Sequence, residues 1–379
     1  MIIQGNKRLL DSRLAVILNS SQSKTPCGHD NWITNSASAI ANLTKSKHTL
    51  VTSTGLNTWE LLIHLAAING GNQVIISPEY DEKEGRNIFE KTLADFDLDP
   101  EKASMVFVKP DSKKSKPKGN WLNRDRAALE IAQKIVSISI RPGGKMQKLI
   151  KEYESSKEID TRWQAPYEKP IHKAPKYDKC QCREDWGNWD YVVHWTKTCH
   201  GPWPNQKSSE YYQSLINSGS NYPNNARNTL INIINCGKIL ASARHIREKR
   251  NVIGLSEVQP AQLIKDIRWS PKDTNYNFEP YGIGISKSKA IELGIRPVIY
   301  GQADDYKAMS DADKPYFQNR GEKNVDWSYE KEWRHPGDMD LTKLSPEQLI
   351  YVVWNSEDEQ LLRNHALFEV IPISKKSSK

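Results

Sequence analysis

Three side chains near the end of the chain are spaced for chemistry. Glu330-Lys-Glu-Trp-Arg334 reads as a strand, where side chains alternate, so Glu330, Glu332 and Arg334 fall on one face. Two carboxylates side by side can divide labour. One stabilises a developing cation and the other moves a proton. Trp327 and Trp333 flank the pair, so the expected site is partly dry; the same residues also make an ordinary charged solvent face. His194, between Val193 and Trp195, reads as a ligand-binding side chain or a hydrogen-bonded core histidine. Cys180, Cys182, Cys199 and His200 supply enough thiolate and imidazole for zinc. Their spacing is unusual and no C-x-x-C occurs, so no metal is expected.

A second group of candidates consists of small-residue loops. They are 19–24 with Ser20 and Ser21, 53–57 with Thr54 and Gly55, and 141–144 with Arg141, Gly143 and Gly144. Loops of this kind let a ligand approach the backbone, and two of them enter helices whose first N–H groups suit a phosphate. Tight turns alone would use the same residues.

Alternating strands and helices position these loops. Strands are expected at Leu14 to Leu18, His48 to Thr52, Gln73 to Ser77, Ser104 to Val108 and Ile135 to Ile140. Helices are expected at about Trp32 to Leu43, Thr58 to Ala67, Arg124 to Gln133 and Lys145 to Tyr153. That alternation implies an α/β domain with a parallel sheet, whose ligands sit beyond the carboxyl ends of the strands. Residues 1–155 therefore read as a Rossmann-like domain and 156–189 as a linker or extended arm. Residues 190–379 read as an α+β domain with mostly short strands at 191–196, 251–256, 281–286, 297–300, 330–334 and a last one at 349–354, plus helices at 226–236 and 287–293.

The chain has 379 residues, and 54 Lys and Arg against 46 Asp and Glu give a net charge of +8, a mild pointer to a polyanionic partner. Part of the excess lies in the runs Lys113 to Lys118 and Lys375 to Lys379, which also read as solvated loops or tails. No run approaches the ~18 apolar residues of a membrane-spanning helix, and the first residues lack the apolar core of a secretory signal. Five cysteines, an odd and sparse set, read as reduced thiols of a cytoplasmic protein. Nine of the 12 Trp follow residue 160, so the second half is aromatic-rich.

Leu14 to Ser21, Leu50 to Leu62 and Gly70 to Ile76 together resemble the Rossmann-like superfamily of DNA-processing protein A and the lysine-decarboxylase-like LOG nucleotide hydrolases, known as SLOG. The resemblance implies binding of a nucleotide-type ligand or single-stranded DNA at the small-residue loops. Pro142-Gly-Gly144 is followed by Lys145-Met-Gln-Lys-Leu-Ile150, without the catalytic Glu of the hydrolase branch. The first half therefore reads as a binding or sensing domain.

In the second half, His194-Trp-Thr196, Thr229 to Ser242, Val252 to Ser256, Phe278 to Ser286, Ala290 to Val298 and Glu330 to Arg334 resemble ADP-ribosyltransferase-fold proteins of the DarT type and phage-defence relatives. That resemblance implies NAD in a cleft between two small sheets. His194 would anchor a ribose, Tyr281 would shelve the nicotinamide and Arg244 would clamp the diphosphate. Glu332 would be the catalytic glutamate, and Glu330 would position or deprotonate the acceptor. The resulting expectation is an NAD-dependent ADP-ribosyltransferase acting on nucleic acid, DNA before RNA, in conflict with phage or mobile elements. Two alternatives stay open: a non-enzymatic single-stranded-DNA binder, and an NAD-hydrolysing effector triggered by a nucleotide. Whether the protein is an enzyme at all, and whether it forms an oligomer, is left open by the sequence.

Overall fold

The computed structural model describes residues 2–77, 84–108, 121–169, 177, 182–183, 185–244, 246–271, 274–320, 328–363 and 368–374. The chain divides into two compact units, Met1–His172 with His200–Pro223, and Lys173–Cys199 with Asn224–Lys379.

Unit 1 contains β1 (Ile2–Gly5), β2 (Leu14–Leu18), α1 (Asn31–Lys45), β3 (Thr49–Ser53), α2 (Asn57–Ile68), β4 (Gln73–Ser77), α3 (Gly85–Phe96), β5 (Ala103–Phe107), α4 (Trp121–Ile131), β6 (Lys134–Ser137), α5 (Lys145–Lys151) and β7 (Glu158–Asp160). The sheet order is β1-β5-β4-β3-β2-β6-β7. Every pairing is parallel except β1 with β5. This is a Rossmann-like α/β sheet. Strands β2 to β5 are buried at every position, as expected of parallel strands covered on both faces. The order runs outward from β2 in both directions, which makes β2 the switch point where such sheets open a crevice.

The boundaries read from sequence differ from the units in two places. β7 lies within the stretch read as a linker and adds an edge strand to the unit 1 sheet. Helix α6 (Ser208–Ile216), counted with the second half, belongs to unit 1. Two carboxylates at the end of α3 explain why. Asp95 accepts bonds from the Ser208 backbone N–H (2.8 Å) and hydroxyl (2.6 Å). Asp97 accepts from the Ser209 hydroxyl and pairs with Lys207, each at 2.6 Å. They supply acceptors for donors that the start of α6 would otherwise leave open.

Unit 2 contains β8 (Tyr191–Trp195), α7 (Ala226–Cys236), β9 (Lys238–Ile239), β10 (Val252–Ser256), α8 (Pro260–Lys265), β11 (Trp269–Ser270), β12 (Asn275–Tyr276), β13 (Gly282–Ser286) and α9 (Lys287–Glu292). It continues with β14 (Arg296–Pro297), β15 (Ile299–Gly301), α10 (Ala303–Ala308), β16 (Phe317–Asn319), β17 (Glu332–Pro336), β18 (Met339–Asp340), β19 (Leu349–Val353), α11 (Ser356–Arg363) and β20 (Glu369–Pro372). The principal strands form one seven-stranded sheet, β14-β17-β10-β8-β13-β19-β20, in place of the two small sheets implied by the resemblance. Among the described residues β20, not β19, is the last strand. One face packs Val192, Leu255, Ile283, Trp333, Tyr351 and Val353 against Leu230 of α7. The other packs Val193, Trp195, Ile350 and Val352 against Leu263 and Ile264 of α8.

Candidate functional site

The two faces of the unit 2 sheet decide which candidates meet. Ser256 of β10 stands opposite both Val193 and Glu332. Those three positions, together with Gly254, Trp195 and Arg334, share the α8 face. A cavity of about 140 Å³ opens there, lined by Val193, Trp195, Lys197, Gly254, Leu255, Ser256, Phe278, Glu330 and Glu332. Gly254 explains the opening. It is exposed in the middle of an otherwise buried strand, and a Cβ at this position would stand 3.5 Å from Glu332 Oε1.

The two carboxylates have unlike surroundings. Glu332 is clamped by Arg334, whose Nε donates to Oε1 (2.8 Å) and whose second terminal nitrogen donates to Oε2 (3.1 Å). Arg334 is 2% exposed and also donates to the carbonyls of Pro315 and Phe317 and to Gln318 Oε1. A bidentate pair of this kind fixes the plane of the carboxylate. Glu330 is not on the strand. It ends a short 3-10 turn, and Lys331 between the two glutamates has a left-handed φ of 42°. Burial pushes the Glu330 carboxyl above its ordinary value and Glu332 adds to the shift, against Lys197 and a bond from Tyr329. Tyr300 stands beside both carboxylates. Burial and then their negative charges push its phenol up to about 12.

Three expectations about this site change. Trp333 does not flank the carboxylates, because alternation turns it to the α7 face, where its indole donates to Glu257. Trp327 lies outside the described residues. Trp195 and Phe278 are the aromatic walls instead. His194 pairs with Ile283, so it sits on the α7 face, opposite Glu332, and is not among the lining residues. Its Nδ1 bonds the Gly254 carbonyl at 2.9 Å, where β8 and β10 have only Val193 and Ser256 in register. Burial pushes this imidazole below its ordinary value, against the bond to Gly254. The structure therefore does not bring His194 and Glu332 together across one groove. Tyr281 shares the His194 face, where its hydroxyl donates to Asp358, itself paired with Arg227. Arg244 is exposed, and its charge acts on Lys197 and Cys199.

Lys197, Gly254, Ser256 and Phe278 were not singled out as site residues in the sequence. The signal for Lys197 was present: it continues the odd-numbered series Val193, Trp195, Lys197. Ser256 donates to the Glu330 carbonyl at 2.6 Å and so ties the turn to β10.

In unit 1 the three loops do come together, at the carboxyl ends of the neighbouring strands β3, β2 and β6. Several of their donors are used within the chain. Gly55 N–H donates to Glu60 (2.8 Å), Gly143 N–H to Gln147 (2.7 Å) and Arg141 N–H to the Ser20 hydroxyl (2.9 Å). The Ser20 N–H donates to Ser139 and the Ser21 carbonyl accepts from Tyr167. The Thr54 carbonyl accepts from Arg124, which is buried and paired with Asp125. Glu60 thus folds back with one oxygen onto the Gly55 N–H just before α2, and its second oxygen accepts from Tyr212 at 2.9 Å. Gly144 precedes α5, which has seven residues and spans only about two turns.

Cys180 lies outside the described residues. Among the described residues no three His, Cys, Asp or Glu side chains gather around a point that could hold a metal. No described helix is long and apolar enough to cross a membrane.

No family model matches this sequence, and no curated protein matches it. Among solved structures, the single-stranded-DNA-binding DNA processing protein A from Helicobacter pylori is similar at 14% identity, over 41% of this chain and 69% of that one, with a TM-score of 0.29. DNA processing protein A from Streptococcus pneumoniae is similar at 14% identity, over 41% of this chain and 52% of that one, also at 0.29. The Moco carrier protein from Chlamydomonas rheinhardtii is similar at 11% identity, over 39% of this chain and 74% of that one, at 0.24. Similarity at this level says nothing of what this chain binds.

Proposed function

We propose that unit 2 transfers a glycosyl group from a nucleotide, with NAD as the donor. One observation carries the reading. Two carboxylates face a single cavity, one clamped by a buried arginine and the other shifted towards neutrality by burial. Glycosidic cleavage needs that division of labour. The bond from the ribose C1′ to the nicotinamide nitrogen breaks, and its electron pair leaves with the nicotinamide. The cation left on the ribose is stabilised by the fixed Glu332 carboxylate. Glu330 takes the proton from the acceptor as the acceptor bonds to C1′. At about 140 Å³ the cavity is smaller than usual ligand sites, so it suits one end of the dinucleotide between Trp195 and Phe278, with the remainder on open surface. The acceptor is nucleic acid or water. With His194 on the other face, the reading rests on the carboxylates and not on a histidine–glutamate pair.

Incubation of the full chain with labelled NAD, with and without DNA, RNA or lysate, tests this reading. Label transfer that Glu332→Gln abolishes supports a transferase. Free ADP-ribose alone assigns water as acceptor. No nicotinamide release by the wild type under any of these conditions overturns the proposal.

A second reading, single-stranded DNA or nucleotide binding by unit 1, is favoured by the meeting of three small-residue loops at the switch point. Steeply salt-dependent affinity for single strands, weakened by Arg141→Ala, would support it.

A further inference from the structure

The guanidinium of Arg334 meets five acceptors. Nε donates to Glu332 Oε1 (2.8 Å), and Nη2 donates to Glu332 Oε2 (3.1 Å) and to Gln318 Oε1 (2.6 Å). Nη1 donates to the carbonyls of Phe317 (2.6 Å) and Pro315 (3.3 Å). A guanidinium has five N–H groups and no acceptor, so the set is complete. Arg334, 2% exposed, therefore acts at the cavity only through Glu332.

Three of those acceptors come from residues 315–318, outside the seven-stranded sheet. After β14, which pairs with β17, the chain leaves that sheet and returns in β16, which pairs only with β15. This excursion is itself anchored. The buried Tyr316 donates its hydroxyl to the Gly294 carbonyl at 2.8 Å and carries the Arg296 guanidinium 3.9 Å from its ring centroid. The two carbonyls hold only Nη1. Gln318 reaches Nη2, the nitrogen that also holds Glu332. A guanidinium is rigid and planar, so fixing its outer edge fixes the Nε–Nη2 edge that faces the carboxylate.

We infer that Gln318 is a positioning residue for Glu332, setting through Arg334 where that carboxylate stands beside the cavity. This rests on the glycosyl-transfer reading for the task of the carboxylate, and on the hydrogen bonds alone for its placement. Gln318 is not among the residues that line the cavity. Its side chain is a neutral acceptor. An aliphatic group there would leave a buried N–H without an acceptor, and a carboxylate would compete with Glu332 for the arginine.

Two variants of the full chain separate placement from mere support. Gln318→Met removes the acceptor at similar length. Gln318→Glu keeps an acceptor, so a residue that only satisfies the arginine would tolerate it. In both, kcat for nicotinamide release from NAD should fall about tenfold or more while KM stays within about twofold. The second readout needs no turnover: a carbon-13 carboxyl titration of Glu330, its signal identified by loss in Glu330→Gln. Glu332 adds to the upward shift of Glu330, which Lys197 and Tyr329 oppose, and Tyr300 stands beside both carboxylates. In Gln318→Met the Glu330 titration should move to lower pH as Glu332 leaves its place. Wild-type kcat and an unmoved Glu330 titration in Gln318→Met overturn the proposal, whatever happens to melting. Wild-type kcat in Gln318→Glu overturns it too, and that variant decides if Gln318→Met does not fold. No nicotinamide release by the wild type overturns the glycosyl-transfer reading, and the Glu330 titration in Gln318→Met then decides the placement by itself.

Discussion

The two units treat their polar groups in opposite ways. At the unit 1 switch point three loop N–H groups are spent inside the chain, on Glu60, Gln147 and Ser20. At the unit 2 cavity, Glu330 and Lys197 line open space and form no salt bridge among the described residues, although each charge acts on the other. A satisfied loop is accounted for by folding alone. Half-burying Glu330 beside a second carboxylate costs folding free energy that a ligand can repay, whereas Lys197 is exposed and carries no such cost. The difference teaches that small residues at strand ends mark where a site could be, whereas uncompensated charge beside a cavity marks where one is worth testing.

Breaking the unit 2 side of this comparison should have the largest effects. Arg334→Met leaves Glu332 without its clamp and removes three further bonds from a buried position. Unfolding free energy should fall by about 3–5 kcal/mol, measured by denaturant titration. A loss below about 1 kcal/mol would mean that the clamp is not holding the site. Glu332→Gln should lower nicotinamide release by about 10²–10³-fold, the range for one removed electrostatic contact. Gly254→Val separates packing from function. Valine favours a strand, so melting should hold or rise, while its side chain enters the cavity beside Glu332 and ligand affinity should fall about tenfold or more. Unchanged affinity would place the ligand elsewhere.

The pH profile sharpens the contrast further. Glu330 must lose its proton to act as a base, and burial together with Glu332 raises its pKa, so kcat/KM should climb through a limb above the ordinary glutamate value. Below that limb the rate should fall about tenfold per pH unit. Glu330→Gln should flatten the limb. Lys197 and Tyr329 hold this pKa down, so Lys197→Ala should move the limb to higher pH. A limb that stays in place in both variants would remove Glu330 as the base.

Much of unit 1 was legible because its strands are buried on both faces and so read as unbroken apolar runs; Leu14–Leu18 and Gln73–Ser77 were placed residue for residue. β1 and β7 were not legible. Ile2–Gly5 and Glu158–Asp160 are short edge strands whose pairing depends on a distant neighbour. α6 was credited to the wrong half because Asp95 and Asp97, more than 100 positions earlier, hold its start. In unit 2 both carboxylates line one cavity, but not as the strand pair read from their spacing, since Glu330 ends a turn before β17, and the partners expected for them lie elsewhere. One-residue parity puts Trp333 and His194 on the far face, and parity between strands depends on register, which periodicity within one strand does not supply. The left-handed turn at Lys331 was equally invisible, since lysine gives no sign of it.

Glu60→Ala probes the satisfied side of the comparison and should have the smallest effect. It frees the Gly55 N–H and the Tyr212 hydroxyl at once. Tyr212 is buried, so its hydroxyl loses an acceptor that water does not readily replace, whereas the Gly55 end is more open to solvent. The cost should be about 1–3 kcal/mol of unit 1 stability, measured by denaturant titration. Fluorescence anisotropy with a labelled single strand gives the second readout. If Glu60 is only a structural acceptor, affinity stays as in the wild type. If affinity rises severalfold, the carboxylate has been occupying an anion site at the start of α2, and the two units would differ in whether their sites are masked, not in whether they have one.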